Sequence, residues 1–317
     1  MAFVPSLGTR CTRRGLSVCR IEILSRSLDL GTRVSLEVRS PSSALERERS
    51  KDCVIFVHGS FHSAWCWDNF SSFFAEKGIR SHAISLRGTS KSPLADRMKT
   101  PKLQDHVDDM LEVVQQLSPD RPPIFVVHSI GGLVMMKYLE AGLKAKAIAF
   151  FCSVPPSGNS PMTKRYLQRL QIRESWNIVV GLAMKKVTSD LNLARALFFT
   201  PDDDEELVQT TIRHFNEDRD SIIDLIDANA KLPDKFTDKA TGRASWFNSD
   251  ATEVFVFGAE NDYIVDSEGI EELGKFFNTS PEILKAFPHD VMLTRRWKEV
   301  AETLCSRLAP VLNEVKS

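Results

Sequence analysis

The sequence predicts an α/β protein in which a mostly parallel sheet is flanked by helices and a helical insertion interrupts the alternation. Short apolar runs and helical patterns alternate between residues 53 and 152 and again after residue 252, which is typical of parallel sheets. Between about residues 155 and 246 the sequence is polar, helical in pattern and poor in strand-like runs. Apolar residues make up 42% and charged residues 26% of the chain, so it can bury a core of ordinary size.

The elements of the first half follow one another closely. Residues 20–24 and 32–38 alternate between apolar and polar positions, which predicts two antiparallel strands. Continuous apolar runs at 53–57, 124–127 and 146–152 are typical of strands buried on both faces. The other predicted elements of this half are a strand at 79–86 and helices at 64–77, 103–117 and 130–143.

The alternation resumes after the insertion. Strands are predicted at 252–257 and 282–287, and helices at 266–277 and about 291–312. The acidic residues of the insertion, from Asp202 to Asp227, are interpreted as a solvated helix face. We therefore expect four segments: an N-terminal arm (1–21), a first core part (22–154), a helical cap (155–246) and a second core part (247–317).

Charge and cysteine content argue against several classes of function. The 41 Lys and Arg residues balance 42 Asp and Glu residues, whereas nucleic-acid binding normally shows as a basic surplus. The six cysteines lack the spacing of a zinc site or a redox pair and fit a reduced intracellular compartment. No apolar run approaches the ~18–20 residues of a membrane span. We expect no nucleic-acid partner, no membrane span, no metal and no cofactor; oligomeric state is not indicated.

The first 21 residues differ in character from the rest. They contain four arginines, several Ser and Thr residues, and neither Asp nor Glu. This bias resembles an organelle transit peptide, which would place the protein in a plastid or another organelle. A disordered arm without targeting value explains the bias equally well, and the protein would then be cytoplasmic.

The strongest functional motif surrounds Ser129. A buried strand ends just before Ser129, and a helix with two glycines in its first turn begins directly after it. This is the context of a nucleophile elbow, a sharp turn that lifts a serine hydroxyl above the sheet. Val127 occupies the first glycine position of the G-x-S-x-G pattern, so we expect the elbow to be slightly displaced. The alternative is that Ser129 only caps the helix.

The loop after the first buried strand is the candidate oxyanion site. His58, Gly59 and Ser60 follow that strand directly. An acyl-transfer enzyme needs two N–H donors where the oxyanion forms. We predict the backbone N–H groups of Ser60 and Ile130 for this role, with Phe61 as the reserve for Ser60.

The candidate acid and base each lie just past a late strand. Asp262 directly precedes an apolar turn, which favours it over Glu260 and Asp266 as the carboxylate that orients a histidine. His289 lies between the last predicted strand and the last helix. The other histidines are interpreted as solvated surface residues (His62, His82, His106 and His214) or as structural residues under the site (His58 and His128).

The order Ser129, Asp262, His289, each at the carboxyl end of a strand, is the chain order of one fold. With these motifs the sequence resembles the α/β-hydrolase superfamily, especially serine esterases and lipase-like members with a helical cap. The resemblance covers roughly residues 51–155 and 250–305, about half of the chain. The matching motifs are His58-Gly59, Trp65-Cys66-Trp67, Ser85-Leu86-Arg87-Gly88 with Ser92, and residues 128–132, 258–262 and 289–290.

Comparison with this superfamily narrows the expected chemistry. Its epoxide hydrolases and dehalogenases carry an Asp nucleophile, where this chain has Ser129. Its hydroxynitrile lyases carry Lys after the catalytic His, where this chain has Asp290. The resemblance therefore implies hydrolysis of a small or lipid-like carboxylic ester, or a thioester, through an acyl-enzyme. The open alternatives are a non-catalytic small-molecule receptor or scaffold and a C–C bond hydrolase.

Overall fold

A computed structural model of the protein describes residues 21–31, 34–42, 51–169, 186–218 and 222–312. Nearly all of the predicted N-terminal arm lies outside these residues, and its targeting role stays a prediction. Some apolar residues of the insertion, from Trp176 to Leu182, also lie outside them. No helix of the described segments is long and apolar enough to cross a bilayer.

An eight-stranded sheet, counted over the described residues, organises the fold in the order β1-β2-β4-β3-β5-β6-β7-β8. β2 runs antiparallel to both of its neighbours, and all other pairs are parallel. The strands are β1 (Ile23–Asp29), β2 (Ser35–Pro41), β3 (Cys53–Val57), β4 (Arg80–Ile84), β5 (Ile124–His128), β6 (Ala147–Phe151), β7 (Glu253–Ala259) and β8 (Glu282–Leu284).

Helices cover both faces of this sheet, as the predicted alternation requires. Two buried apolar clusters, one containing Val127 and Leu133 and the other containing Val126 and Leu304, pack on its two sides. The core helices are α1 (Asp68–Glu76), α2 (Leu103–Leu117), α3 (Ile130–Glu140), α8 (Ser267–Phe277) and α9 (Trp297–Leu308), and the insertion contributes α4 (Asn159–Arg169), α5 (Leu191–Phe198), α6 (Glu205–Glu217) and α7 (Leu225–Ala230).

The central parallel strands end at the same level of the sheet, so the loops that follow them lie side by side. Val57 pairs with Val127, and Phe151 pairs with both His128 and Phe257. All residues of β3, β5 and β6 are buried, as their continuous apolar runs predict. The carboxyl ends of these strands therefore form one edge, where open α/β sheets bind ligands.

Several predicted elements differ from the structure. The first two strands, predicted at 20–24 and 32–38, lie further along the chain as β1 (Ile23–Asp29) and β2 (Ser35–Pro41). The predicted helix at 64–77 begins as a 3-10 turn (Ala64–Trp67) before α1. The last strand is shorter than predicted, because the chain turns at Ala286, where φ is 59°. The last helix begins six residues later than predicted, at Trp297, because residues 290–297 form successive turns, with bonds from Leu293 N to Asp290 O and from Trp297 N to Thr294 O.

The insertion docks onto the core through acidic side chains, so the interpretation of all of them as solvated is wrong. Asp218 is only 3% exposed. Its carboxylate accepts hydrogen bonds from Trp65 Nε1 at 2.9 Å and from the Ser90 backbone N–H at 2.7 Å. Asp224 instead caps α7 by accepting from two backbone N–H groups of its first turn. The sequence pattern could not separate these roles, because the core partners are distant along the chain.

Candidate active site

Ser129 forms the turn between β5 and α3, as predicted. Its backbone has φ 53° and ψ −123°, a region that costs a non-glycine residue of the order of 1–3 kcal/mol. Three backbone hydrogen bonds hold this conformation, from Ser129 N to Phe151 O at 3.1 Å, from Val154 N to Ser129 O at 3.2 Å and from Gly132 N to Ser129 O at 3.0 Å. The side chain is 8% exposed. This strained turn is the arrangement of a nucleophile elbow.

The glycines near Ser129 allow three backbone segments to approach one another closely. A Cβ atom at Gly131 would lie 2.5 Å from the carbonyl oxygen of His58. A Cβ atom at Gly59 would lie 2.7 Å from Ser129 Cβ and 3.3 Å from Ser129 Oγ. The loop after β3 therefore lies directly against the serine. Val127, at the first glycine position of the pattern, is fully buried within the sheet.

His289 and Asp262, the predicted base and acid, are in direct contact. His289 Nδ1 lies 2.8 Å from Asp262 Oδ2, and the other oxygen of Asp262 accepts from the N–H groups of Ile264 at 2.7 Å and Val265 at 2.9 Å. These bonds fix the carboxylate, which in turn fixes the imidazole with Nδ1 protonated and Nε2 able to accept a proton. The competitor Glu260 pairs with Lys285, and Asp266 pairs with Arg165.

Electrostatics favour the protonated form of the His289 imidazole. Burial alone would lower its pKa, but the charge and hydrogen bond of Asp262 and the charge of Asp290 outweigh burial, and the net effect raises the pKa. A carboxylate beside a histidine favours the imidazolium form. The group is therefore suited to accept a proton from a hydroxyl.

Ser129 is linked to this pair through its neighbour. His128 Nε2 donates to the backbone oxygen of His289 at 3.1 Å, and the two imidazole centroids are 4.6 Å apart. Within the described part of the chain the Ser129 hydroxyl makes no hydrogen bond to His289. Such bonds are often long without substrate and tighten in the Michaelis complex. The structure thus joins the acid and the base directly and places the serine on the adjoining turn.

The loop proposed for the oxyanion is fixed by a buried histidine. His58 Nδ1 donates to Gly59 O at 2.8 Å, and its Nε2 accepts from the Leu86 N–H at 2.8 Å. Burial lowers the pKa of His58 to about 3, so the ring stays neutral while it joins Gly59 to Leu86. Ile130 opens α3, where backbone N–H groups are free of intrahelical partners. The assignment of the Ser60 and Ile130 amides to an oxyanion remains a prediction.

Two histidines interpreted as solvated are buried, so that interpretation is wrong for them. His62 is 1% exposed and bonds to Asp290, and His106 is fully buried and bonds to the Ile222 carbonyl oxygen. Nothing in the spacing indicates that His62 and Asp290 meet, because 228 positions separate them. The adjacency of Asp290 to the candidate base His289 was the one available hint.

Among the described residues, two groups of side chains near the serine have the composition of metal ligands. They are His62, His128 and Asp290, and Cys152, Asp262 and His289. In each group a histidine nitrogen and a carboxylate oxygen are already hydrogen-bonded to each other. Burial, and then the charge of Asp262, raises the pKa of the Cys152 thiol well above its ordinary value, so this thiol is neutral at neutral pH and a poor metal ligand.

A cavity of about 520 Å³ lies beside the elbow, between α3 and the insertion. Its apolar walls include Ile130 and Val154, which flank the Ser129 turn, and Leu232 from the insertion. Polar side chains from α4, including Asn159 and Thr163, line its other side. Such a mostly apolar cavity with a few polar groups suits a small organic ligand.

Comparison with known proteins places the chain in a family. The family model described as "Alpha/beta hydrolase family" matches residues 54–303. Methylesterase 1 of Arabidopsis thaliana is 25% identical over 162 residues, which cover 50% of this chain and 60% of that protein. The chain therefore spans less than two thirds of this relative.

Solved structures with low sequence identity share the fold. The 2-hydroxy-6-oxo-6-phenylhexa-2,4-dienoate hydrolase of Rhodococcus sp. strain RHA1 superposes with a TM-score of 0.65 at 19% identity, covering 91% of this chain and 99% of that chain. The naproxen esterase of Bacillus subtilis superposes with a TM-score of 0.62 at 16% identity, covering 92% and 94%. The family match over residues 54–303 and the sheet order together identify the chain as a member of the α/β-hydrolase family.

Proposed function

We propose that this protein is a serine hydrolase that cleaves a carboxylic ester through an acyl-enzyme on Ser129. The observation that carries the proposal is the hydrogen-bonded pair of His289 and Asp262, which lies on the same sheet edge as the strained Ser129 turn. A hydroxyl, an imidazole and a carboxylate in this order are the groups that acyl transfer needs. The similarity to Methylesterase 1 of Arabidopsis thaliana supports an ester as the substrate.

In the proposed reaction His289 Nε2 removes the Ser129 proton while Ser129 Oγ attacks the ester carbonyl. The amides of Ser60 and Ile130 would hold the resulting oxyanion, where one donor typically contributes ~10²–10³ in rate. The tetrahedral intermediate collapses, His289 returns the proton to the leaving alkoxide, and the alcohol departs. Water, deprotonated by His289, then attacks the acyl-enzyme; the second tetrahedral intermediate collapses with cleavage of the bond to Ser129 Oγ, His289 returns the proton to Ser129 Oγ, and the carboxylic acid is released. Asp262 stabilises the imidazolium in both steps.

The substrate we propose is small or lipid-like. The cavity beside Ile130 and Val154 is large enough for such a group and is mostly apolar. Residues 155–246 would act as the cap that covers it, and Trp65 and Ser90 hold the end of α6 to the core through Asp218. A thioester could react by the same steps, because the leaving thiolate needs less help from His289. For the location we propose two alternatives: an organelle, if the N-terminal arm (1–21) is a transit peptide, and otherwise the cytoplasm.

Hydrolysis of p-nitrophenyl esters of graded chain length tests this proposal, with Ser129→Ala as the matched variant. We expect turnover with a chain-length optimum, and a loss of about 10⁶-fold in kcat for Ser129→Ala. If neither the wild type nor the variant turns over any ester while the protein still binds small esters, it is a receptor or scaffold. Poor ester turnover together with cleavage of a β-diketone would identify a C–C bond hydrolase instead.

A further inference from the structure

A second histidine–carboxylate pair is buried directly behind the candidate base. His62 Nε2 lies 2.9 Å from Asp290 Oδ2, and His62 Nδ1 lies 2.7 Å from the backbone oxygen of Ser60. His62 is 1% exposed and Asp290 is fully buried. The ring therefore spans two loops, the one that carries the candidate oxyanion donors and the one that carries His289. The reaction steps proposed above use neither side chain.

The hydrogen-bond partners of His62 limit the positions that protons can occupy on its ring. A backbone oxygen can only accept, and an ionised carboxylate can only accept. When Asp290 is ionised, both ring nitrogens must carry a proton, and the pair is then an imidazolium–carboxylate ion pair. His58 differs, because one of its nitrogens accepts from the Leu86 N–H. His128 also differs, because its Nδ1 has no hydrogen-bond partner within the described residues.

We propose that His62 and Asp290 are positioning residues that hold the oxyanion loop and the His289 loop at a fixed separation. This inference rests on the proposed function. One direct contact ties the two loops together, from His62 to Asp290, and the bond to Ser60 O holds the His62 ring within its own loop. His128 Nε2, at the end of β5, holds the His289 loop from a third side by donating to the backbone oxygen of His289. Because catalysis falls steeply when reacting groups are misplaced by about 1 Å, a direct bond between these loops sets the rate without touching the substrate.

The surroundings of the pair keep the interaction strong. The His62 ring stacks on Trp65 at 5.7 Å and meets the edge of Phe215, from α6 of the insertion, at 4.8 Å. Little water reaches this layer, so the ion pair is weakly screened. Removing one partner of such a pair leaves a buried charge uncompensated. The insertion therefore covers the pair and shields it.

The pair also acts on the proton affinity of the base. Burial lowers the pKa of His289, and Asp262 and then Asp290 raise it to a net increase. Without the Asp290 carboxylate the pKa of His289 must fall. Asp290→Asn should therefore move the acid limb of kcat/KM to lower pH. The titratable groups around the two imidazoles are Asp262, Asp290, Cys152, His58 and His128.

Kinetics of His62→Gln and Asp290→Asn test the proposal, with Asp52→Asn as the matched control. Asp52 is also a buried carboxylate in an ion pair, with Lys146, at the opposite end of the strands. We expect each test variant to lose about 10- to 100-fold in kcat with little change in KM, as a misplaced site would. The acid limb should move to lower pH in Asp290→Asn and stay in place in the control. The double variant should lose less than the product of the single losses.

Nitrogen NMR of the wild-type histidines gives a readout independent of activity and of the folding of any variant. We expect both His62 ring nitrogens to carry protons at pH 7. A neutral His62 that accepts from a protonated Asp290, or variants that behave like Asp52→Asn, would overturn the proposal. A wild-type protein that hydrolyses no ester would refute the proposed function instead, and the NMR spectrum would still decide whether the ion pair exists.

Discussion

Replacing Gly131 by alanine would push the candidate oxyanion loop away from the serine. A Cβ atom at this position would lie 2.5 Å from His58 O and 3.2 Å from Val57 O. The first distance is about 0.9 Å short of the 3.4 Å at which ordinary contact begins. Both neighbours are backbone atoms at the end of β3, so neither can rotate away. The loop that begins at His58 must therefore move by most of this distance.

The expected effects follow from this displacement. Overpacking of a close contact costs about 1–3 kcal/mol of folding stability, and a 1 Å misplacement of catalytic groups costs about 10²-fold in rate. We expect Gly131→Ala to melt a few degrees lower and to lose about 100-fold in kcat for ester hydrolysis. The assays are thermal unfolding by circular dichroism and steady-state hydrolysis of a p-nitrophenyl ester.

Gly142→Ala is the matched control for Gly131→Ala. Gly142 has φ +79° and open space around the position of a Cβ atom. Alanine there costs roughly 1–2 kcal/mol through backbone strain, similar to the overpacking cost, but it lies at the far end of α3 from Ser129. We expect it to lose stability and keep its kcat. If Gly131→Ala lost no more kcat than Gly142→Ala, the reasoning that the loop after β3 serves the serine would be refuted.

Four further predictions concern the acid, the base, a buried histidine and the insertion. Asp262→Asn should lower kcat by about 10⁴-fold at unchanged circular dichroism, and a smaller loss than about tenfold would exclude Asp262 as the orienting acid. The rate kcat/KM should fall as pH drops, with a midpoint above the ordinary 6.5 because the pKa of His289 is raised; a midpoint below 6.5 would contradict this. His58 is neutral when folded, since burial lowers its pKa to about 3, whereas the unfolded chain binds a proton below about 6.5. Folding stability should therefore decline from pH 6.5 towards pH 3, and thermal melts of His58→Gln should decline less. Asp218→Ala removes the acceptor of two part-buried hydrogen bonds, from Trp65 Nε1 and the Ser90 N–H, and should cost about 1–3 kcal/mol; unchanged proteolysis of the insertion would argue against this docking.

The order and type of the core elements were predictable because they depend on local pattern. The apolar runs of β3, β5 and β6 can only be strands buried on both faces, and all three are fully buried. Strand-end motifs placed Ser129, Asp262 and His289 at one edge, because parallel strands with right-handed crossovers end on the same side. The contact between His289 and Asp262 follows from that placement.

The contacts that a linear pattern could not predict are those between distant, individually ordinary residues. His62 looked like a loop histidine, and only the three-dimensional fold brings it to Asp290. Asp218 looked like part of a solvated acidic face, yet its partners Trp65 and Ser90 lie on core loops more than a hundred positions earlier. The end of β8 was also misplaced, because the turn at Ala286 depends on backbone geometry that its sequence does not favour.

The claim on which the mechanism depends is that Ser129 is the nucleophile. Mass spectrometry of the intact protein after treatment with a fluorophosphonate, followed by peptide mapping, tests it most directly. We expect one adduct per chain, located on Ser129 and absent from Ser129→Ala, with labelling slowed in a His289→Ala variant. An unmodified wild-type protein, or an adduct that persists in Ser129→Ala, would contradict the proposed mechanism.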